Sequence, residues 1–145
     1  MRTLTVFLSC MLTFPLVLSA QEREVAALVS EAETHFLNGE ENVAARLYEE
    51  VLRADDDNLQ ATIFLANYYY LHAEREKANL ESDYKSIRKP NRAQRAMYRN
   101  SLATIVTNQY GKAKRYLQRV LQLYPSTGAE QTIRKIGALE VYVRR

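Results

Sequence analysis

Leu59 to Asn91 reads LQATIFLANYYYLHAEREKANLESDYKSIRKPN. In its first third, Leu59, Ile63, Ala66 and Tyr70 recur at spacings of three and four, the mark of an amphipathic helix. The next eight residues, LHAEREKA, hold no Gly, Asn or Pro to end that helix. They are rich in residues that favour it. From Glu74 to Ile87 the chain is mostly polar, and only Ala78, Leu80, Tyr84 and Ile87 are able to pack. Two readings fit. In one, a turn lies hidden near 71–78 and a second short helix ends at Pro90. In the other, a single helix runs from about 59 to 88 and turns at Lys89-Pro90-Asn91. The chain then returns antiparallel as a projecting hairpin. Local composition leans to the second, because Glu81 and Lys85 have the i,i+4 spacing that supports a polar helix.

Upstream the pattern is clearer. Val25, Leu28, Val29, Ala32 and Phe36 make one helical face, and Ala44, Leu47, Tyr48, Val51 and Leu52 make the next. Asn38-Gly39 separates them and suits a left-handed C-cap. The spacing predicts two helices of about four turns in an antiparallel hairpin. Asp55-Asp56-Asp57-Asn58 then divides this hairpin from the helix at 59. One of Asp56, Asp57 or Asn58 can N-cap that helix, and the carboxylates suit its positive end. Three consecutive aspartates lack the spaced ligands and turn glycine of a calcium loop.

A period is visible. Ala32, Ala44 and Asp56 in the first hairpin are followed at a step of 34 by Ala66, Ala78 and Pro90. A further step of 35 leads to Ser101, Ala113 and Pro125. Small residues are needed where paired helices approach closely, and a terminator where a unit ends. With EAETHFLNGEENVAARLYEEVLRADDDN at 31–58 and NQYGKAKRYLQRVLQLYP at 108–125, the chain resembles the tetratricopeptide repeat family. Leu28, Ala32, Phe36, Gly39, Ala44, Tyr48, Val51 and Leu52 carry the resemblance in the first unit. Met97, Ser101, Ile105, Asn108, Tyr110, Ala113, Tyr116, Val120 and Pro125 carry it in the last. The middle unit is weak. The resemblance implies an all-α, right-handed solenoid of stacked hairpins, with units at about 25–58, 59–93 and 94–127. After Pro125, Ile133, Ile136 and Leu139 form one apolar stripe with basic neighbours. This predicts a C-terminal helix over 128–143 that closes the array.

The first twenty residues, MRTLTVFLSCMLTFPLVLSA, differ from the rest. An early Arg2, an apolar run from Leu4 to Leu18 and the small pair Ser19-Ala20 have the layout of a secretory signal peptide cleaved after Ala20. The expected location is therefore periplasmic or secreted. The one cysteine, Cys10, lies in this leader, so the chain beyond it has no disulfide, thiolate chemistry or cysteine metal site. Charge is strongly split. Gln21–Asp83 holds 15 acidic and 5 basic residues, net −10, and Tyr84–Arg145 holds 2 and 14, net +12. An exported chain with an acidic half is a poor nucleic-acid binder. The halves are expected to neutralise one another within the fold or between copies.

No catalytic arrangement stands out. His35 and His72 sit where packing or interface residues belong, and no HExxH, GxSxG or phosphate-cradling glycine loop is present. Glu40-Glu41 and Glu49-Glu50 are helix neighbours that point in different directions. No enzyme, cofactor or metal is expected. The ten tyrosines are more telling. Tyr68, Tyr69 and Tyr70 sweep about 200° of a helix, so they cannot share one buried stripe. The resemblance implies a concave groove lined by Val29, Glu33, Ile63, Asn67, Tyr70, Arg95, Tyr98 and Arg99. Of these, Asn67, Tyr70, Arg95, Tyr98 and Arg99 are the candidate partner-binding residues. Tyr and Arg are enriched where binding energy concentrates. The expected activity is protein–protein interaction, as an adaptor or assembly factor that grips an acidic or C-terminal peptide segment or another envelope protein. Self-assembly through acidic-half to basic-half contacts is the alternative, and membrane association would run through a partner.

Overall fold

The computed structural model describes residues 14–144, with side chains from Ala20 onward. The signal-peptide reading of 1–20 falls mostly outside these residues. The described chain is all helix, without a β-strand. It divides into two compact units, one ending at Asp56 and one beginning at Asp57.

In the first unit, α1 (Phe14–Leu37) and α2 (Glu41–Ala54) pack as the expected hairpin. Ala32 and Ala44 are fully buried, so the helices meet where neither carries a bulky side chain. Ala45, Tyr48 and Val51 complete the core. Gly39 adopts φ +80, in the left-handed region. Its N–H bonds to Phe36 O at 3.0 Å, and the Glu40 N–H bonds to His35 O at 2.9 Å, which together cap the last carbonyls of α1. The Gln21 amide donates to Ala54 O at 2.8 Å at the open end of the hairpin.

The second unit opens with α3 (Leu59–Ser86), a single helix of 28 residues. Of the two readings left open by the sequence, the long helix is the one observed. Asn58 is its N-cap, its side chain accepting from the Ala61 N–H at 3.0 Å. Lys77 lies 3.6 Å from Glu74 and 3.8 Å from Glu81, and Lys85 lies 3.9 Å from Glu81. These pairs support the polar half of the helix. The chain turns at 87–91, and Asn91 with Gln94 forms a reciprocal capping box.

The return differs from the expected hairpin at 94–127. The helix begun as α4 (Arg92–Ile105) passes through a π-helical turn at Val106–Tyr110 and continues as α5 (Gly111–Leu123). Backbone angles are helical at both joins. The NQYGK segment, where a hairpin unit over 94–127 would turn, instead accommodates an extra residue inside one helix. Gly111 is ordinary α backbone here and does not break the chain direction. Pro125 does break it, and α6 (Thr127–Arg144) packs back on α5, the π turn and α4. Units of alternating short helices are thus not seen beyond Asp56. The second unit is a three-helix bundle of α3, the composite α4–α5 helix and α6.

Its core is Ala66, Ala73, Leu102, Val106, Tyr110, Ala113, Leu117, Val120, Ala129 and Ile136. Two ion pairs lock its edges. Lys114 reaches both Glu140 oxygens, at 3.0 and 2.8 Å, and Arg119 meets Asp57 at 2.6 Å. The period-derived landmarks Ala66 and Ala113 are buried, but Ala78 is exposed. No described helix is long and apolar enough to cross a membrane.

Candidate functional site

The buried core of the second unit stops short of the α3–α4 turn. From Glu74 to Ser101 no residue is buried. Beyond Leu80 and Tyr98, which pack half-buried against the bundle core, this stretch adds little to it. The last 13 residues of α3 and the first turns of α4 therefore form an arm about 20 Å long, at 1.5 Å rise per residue. Its internal adhesion is a stack of Tyr84 on Tyr98, with ring centroids 4.3 Å apart and planes at 23°. Burial first, and then the nearby charge of Glu81, raises the Tyr98 hydroxyl above the ordinary tyrosine range. Met97 is 72% exposed, since it lies about 100° around α4 from half-buried Tyr98 and so off the packed face.

The arm is also basic. Between Asp83 and Glu130 the sequence contains no acidic residue, so α4 and α5 carry no carboxylate. Arg88, Lys89, Arg92, Arg95 and Arg99 surround the tip, all exposed. The Arg95 guanidinium donates to Pro90 O at 2.6 Å, which ties the first turn of α4 to the loop.

Arg95, Tyr98 and Arg99 are thus brought together on the arm. Asn67 and Tyr70 are not. Asn67 is exposed near the start of α3, about 30 Å along the helix from its end. Tyr70 is half-buried, set edge-on against Tyr110 with centroids 5.9 Å apart. It belongs to a polar layer at the π turn. Tyr110 is fully buried, and its hydroxyl donates to Glu74 Oε1 at 2.6 Å. Burial, then the hydrogen bond and charge of Glu74, push the Tyr110 hydroxyl far above its ordinary range. Burial alone would raise Glu74. The hydrogen bond from Tyr110 and the charge of Lys77 outweigh it and hold the carboxyl below its ordinary range. Gln109 donates to Glu76 at 3.4 Å from the same turn. This layer joins α3 to the composite helix and is structural.

The tyrosine run resolves similarly. Tyr69 stacks flat on Tyr116 at 5.7 Å with Lys112 4.8 Å from its ring centroid, and Tyr68 lies against Phe64 and edge-on to Tyr69. All three residues of the run are half-buried. His35 pairs with Glu40 at the α1–α2 turn, and His72 Nδ1 lies 3.2 Å from Glu76 without a hydrogen bond. Among the described residues no three His, Cys, Asp or Glu side chains gather as a metal ion requires.

The projecting hairpin is legible in the mostly polar run 74–87, while the exposure of Met97, which the repeat pattern matches to a unit position, is not.

Fold and surface together describe an all-helical bundle domain with a projecting, aromatic and basic element. A solved structure from Bacteroides ovatus ATCC 8483, described as a candidate protein-binding protein, is 45% identical to this chain with a TM-score of 0.76. The match covers 82% of this chain and 58% of that one, and the two are homologous. The present chain thus spans less than two thirds of that relative's length. No family model matches the chain, and no curated protein matches it.

Proposed function

We propose that this chain is an exported protein-interaction module that acts as an adaptor or assembly factor and binds through the α3–α4 arm. The observation that carries the reading is the run from Glu74 to Ser101, in which no residue is fully buried and exposed Met97 stands among five exposed cations beside the half-buried Tyr84–Tyr98 stack. An aromatic anchor ringed by arginines is the composition of a binding hot spot. The homologue's description as a candidate protein-binding protein points the same way. Binding rather than catalysis, without a cofactor, suits a surface of this kind. The α1–α2 hairpin keeps the form that a tetratricopeptide-like unit would have, and the leader 1–20 directs the chain to the periplasm or outside.

The test is a capture experiment from envelope extract. The baits are the wild type and a variant with Arg95→Ala, Tyr98→Ala and Arg99→Ala, matched for helicity by circular dichroism. A protein held by the first and lost from the second supports the reading. Equal retention by both sinks the arm as the binding surface. A protein beginning at Gln21 and found in the periplasmic or secreted fraction supports export, and an intact Met1 on cytoplasmic protein overturns it.

A further inference from the structure

The chain carries its own complement to the arm. The first unit, from Gln21 to Asp56, holds ten acidic and three basic residues, whereas Asp57 to Arg145 holds seven and sixteen. The division of charge therefore follows the division of the fold, with net −7 on the hairpin and net +9 on the bundle. At its α1–α2 turn the hairpin also exposes apolar surface: Leu37 is 83% exposed and Phe36 48%. Glu33, Glu40 and Glu41 flank them. The hairpin turn thus offers carboxylates around an apolar centre, and the arm offers arginines around Met97 and the Tyr84–Tyr98 stack.

We propose that the basic arm of one copy docks on the acidic α1–α2 turn of a second copy. This rests on the reading of the arm as the binding element and names one occupant for it. Apolar contact of Phe36 and Leu37 with exposed Met97 supplies the centre, and the charges supply register and exclude the arm-to-arm pairing, in which cations would face cations. Because the two surfaces differ, the contact is head-to-tail. Each docked copy leaves one arm and one hairpin turn open, so the product is a chain that lengthens with concentration.

The test is sedimentation of the protein purified in the form the cell leaves it, over a range of concentration and salt. Two charge-reversed variants accompany it: R92E/R95E/R99E on the arm and E33K/E41K on the hairpin, each checked for unchanged helicity. In about 20 mM salt, where charges are weakly screened, the wild-type mass should rise at least about twofold with concentration, and about 0.5 M salt should return it to monomer. Each variant alone should stay monomeric. Their one-to-one mixture should assemble again, since the reversed arm meets the reversed hairpin and the two native surfaces meet each other. A wild type that stays monomeric at low salt overturns the proposal, as does a mixture that fails to assemble. If that wild type still loses a captured protein on arm substitution, the binding role stands and only the second copy is excluded.

Discussion

At the scale of single residues, the Glu74–Tyr110 pair makes stability depend on pH at both ends of the range. The Glu74 carboxyl is held below its ordinary range in the fold. Its contribution is therefore present above the unfolded carboxylate pKa, about 4, and is lost as pH falls through the lower folded value. Urea midpoints should show wild type and Glu74→Gln converging as pH falls from 7 to 3. Tyr110 works in the opposite sense. Its hydroxyl is raised in the fold, so the contribution is intact below the ordinary tyrosine value near 10 and is lost as pH rises beyond it. Tyr110→Phe should cost about 1 kcal/mol at pH 7, and the gap to wild type should narrow above about pH 10. Part of this was legible in advance. Tyr110 stood out as an aromatic in a repeat-like pattern, but its partner Glu74 lies 36 positions away on another helix. No local spacing pairs them, because their meeting depends on how two long helices lie in register.

At the scale of elements, the π turn and the arm lead to separate expectations. A π turn holds one residue more than the α turn it replaces. Deleting exposed Thr107 should convert it to α-helix while keeping α4 and α5 on their own faces. Deleting exposed Gln118 from α5 should instead rotate its neighbours by about 100° and pull buried Leu117 or Val120 off the core. The Thr107 deletion should therefore keep a cooperative melt, and the Gln118 deletion should lose it. The arm holds no fully buried residue, so its amides should open by local fraying. Hydrogen exchange over 78–98 should be faster than over 102–120, and trypsin should cut first at Arg88 or Arg92. Tyr98→Ala removes the stack on Tyr84 and should speed exchange in the arm, and because Tyr98 also packs against the bundle core it should lower the bundle's melting point modestly. Helix type was legible here from three-and-four periodicity. Helix length was not legible at 94–127. Gly111 and the aromatic Tyr110 resemble a turn in sequence, yet the backbone stays helical through both because a glycine is free to be helical when its neighbours pack.

At the scale of the whole molecule, the bundle depends on α6, which supplies the fully buried Ile136. Ile136→Ala should weaken the bundle by about 3 kcal/mol and raise exchange across α3, α5 and α6. By itself the sequence determined that the described chain is helical throughout, that its first two helices form a hairpin closed at Gly39, and that charge is divided along its length. Those properties are local or compositional: a repeat of apolar positions, a left-handed glycine and a count of ionised groups. Only the tertiary structure decided that 92–123 is one helix with a π turn, that the second unit is a three-helix bundle, and that Met97 lies outside its core. The reason is that a side chain becomes core only when another element covers it. Met97 and Tyr98 are neighbours on α4, but Tyr98 lies half-buried against the bundle core while Met97, about 100° around the helix, is left uncovered.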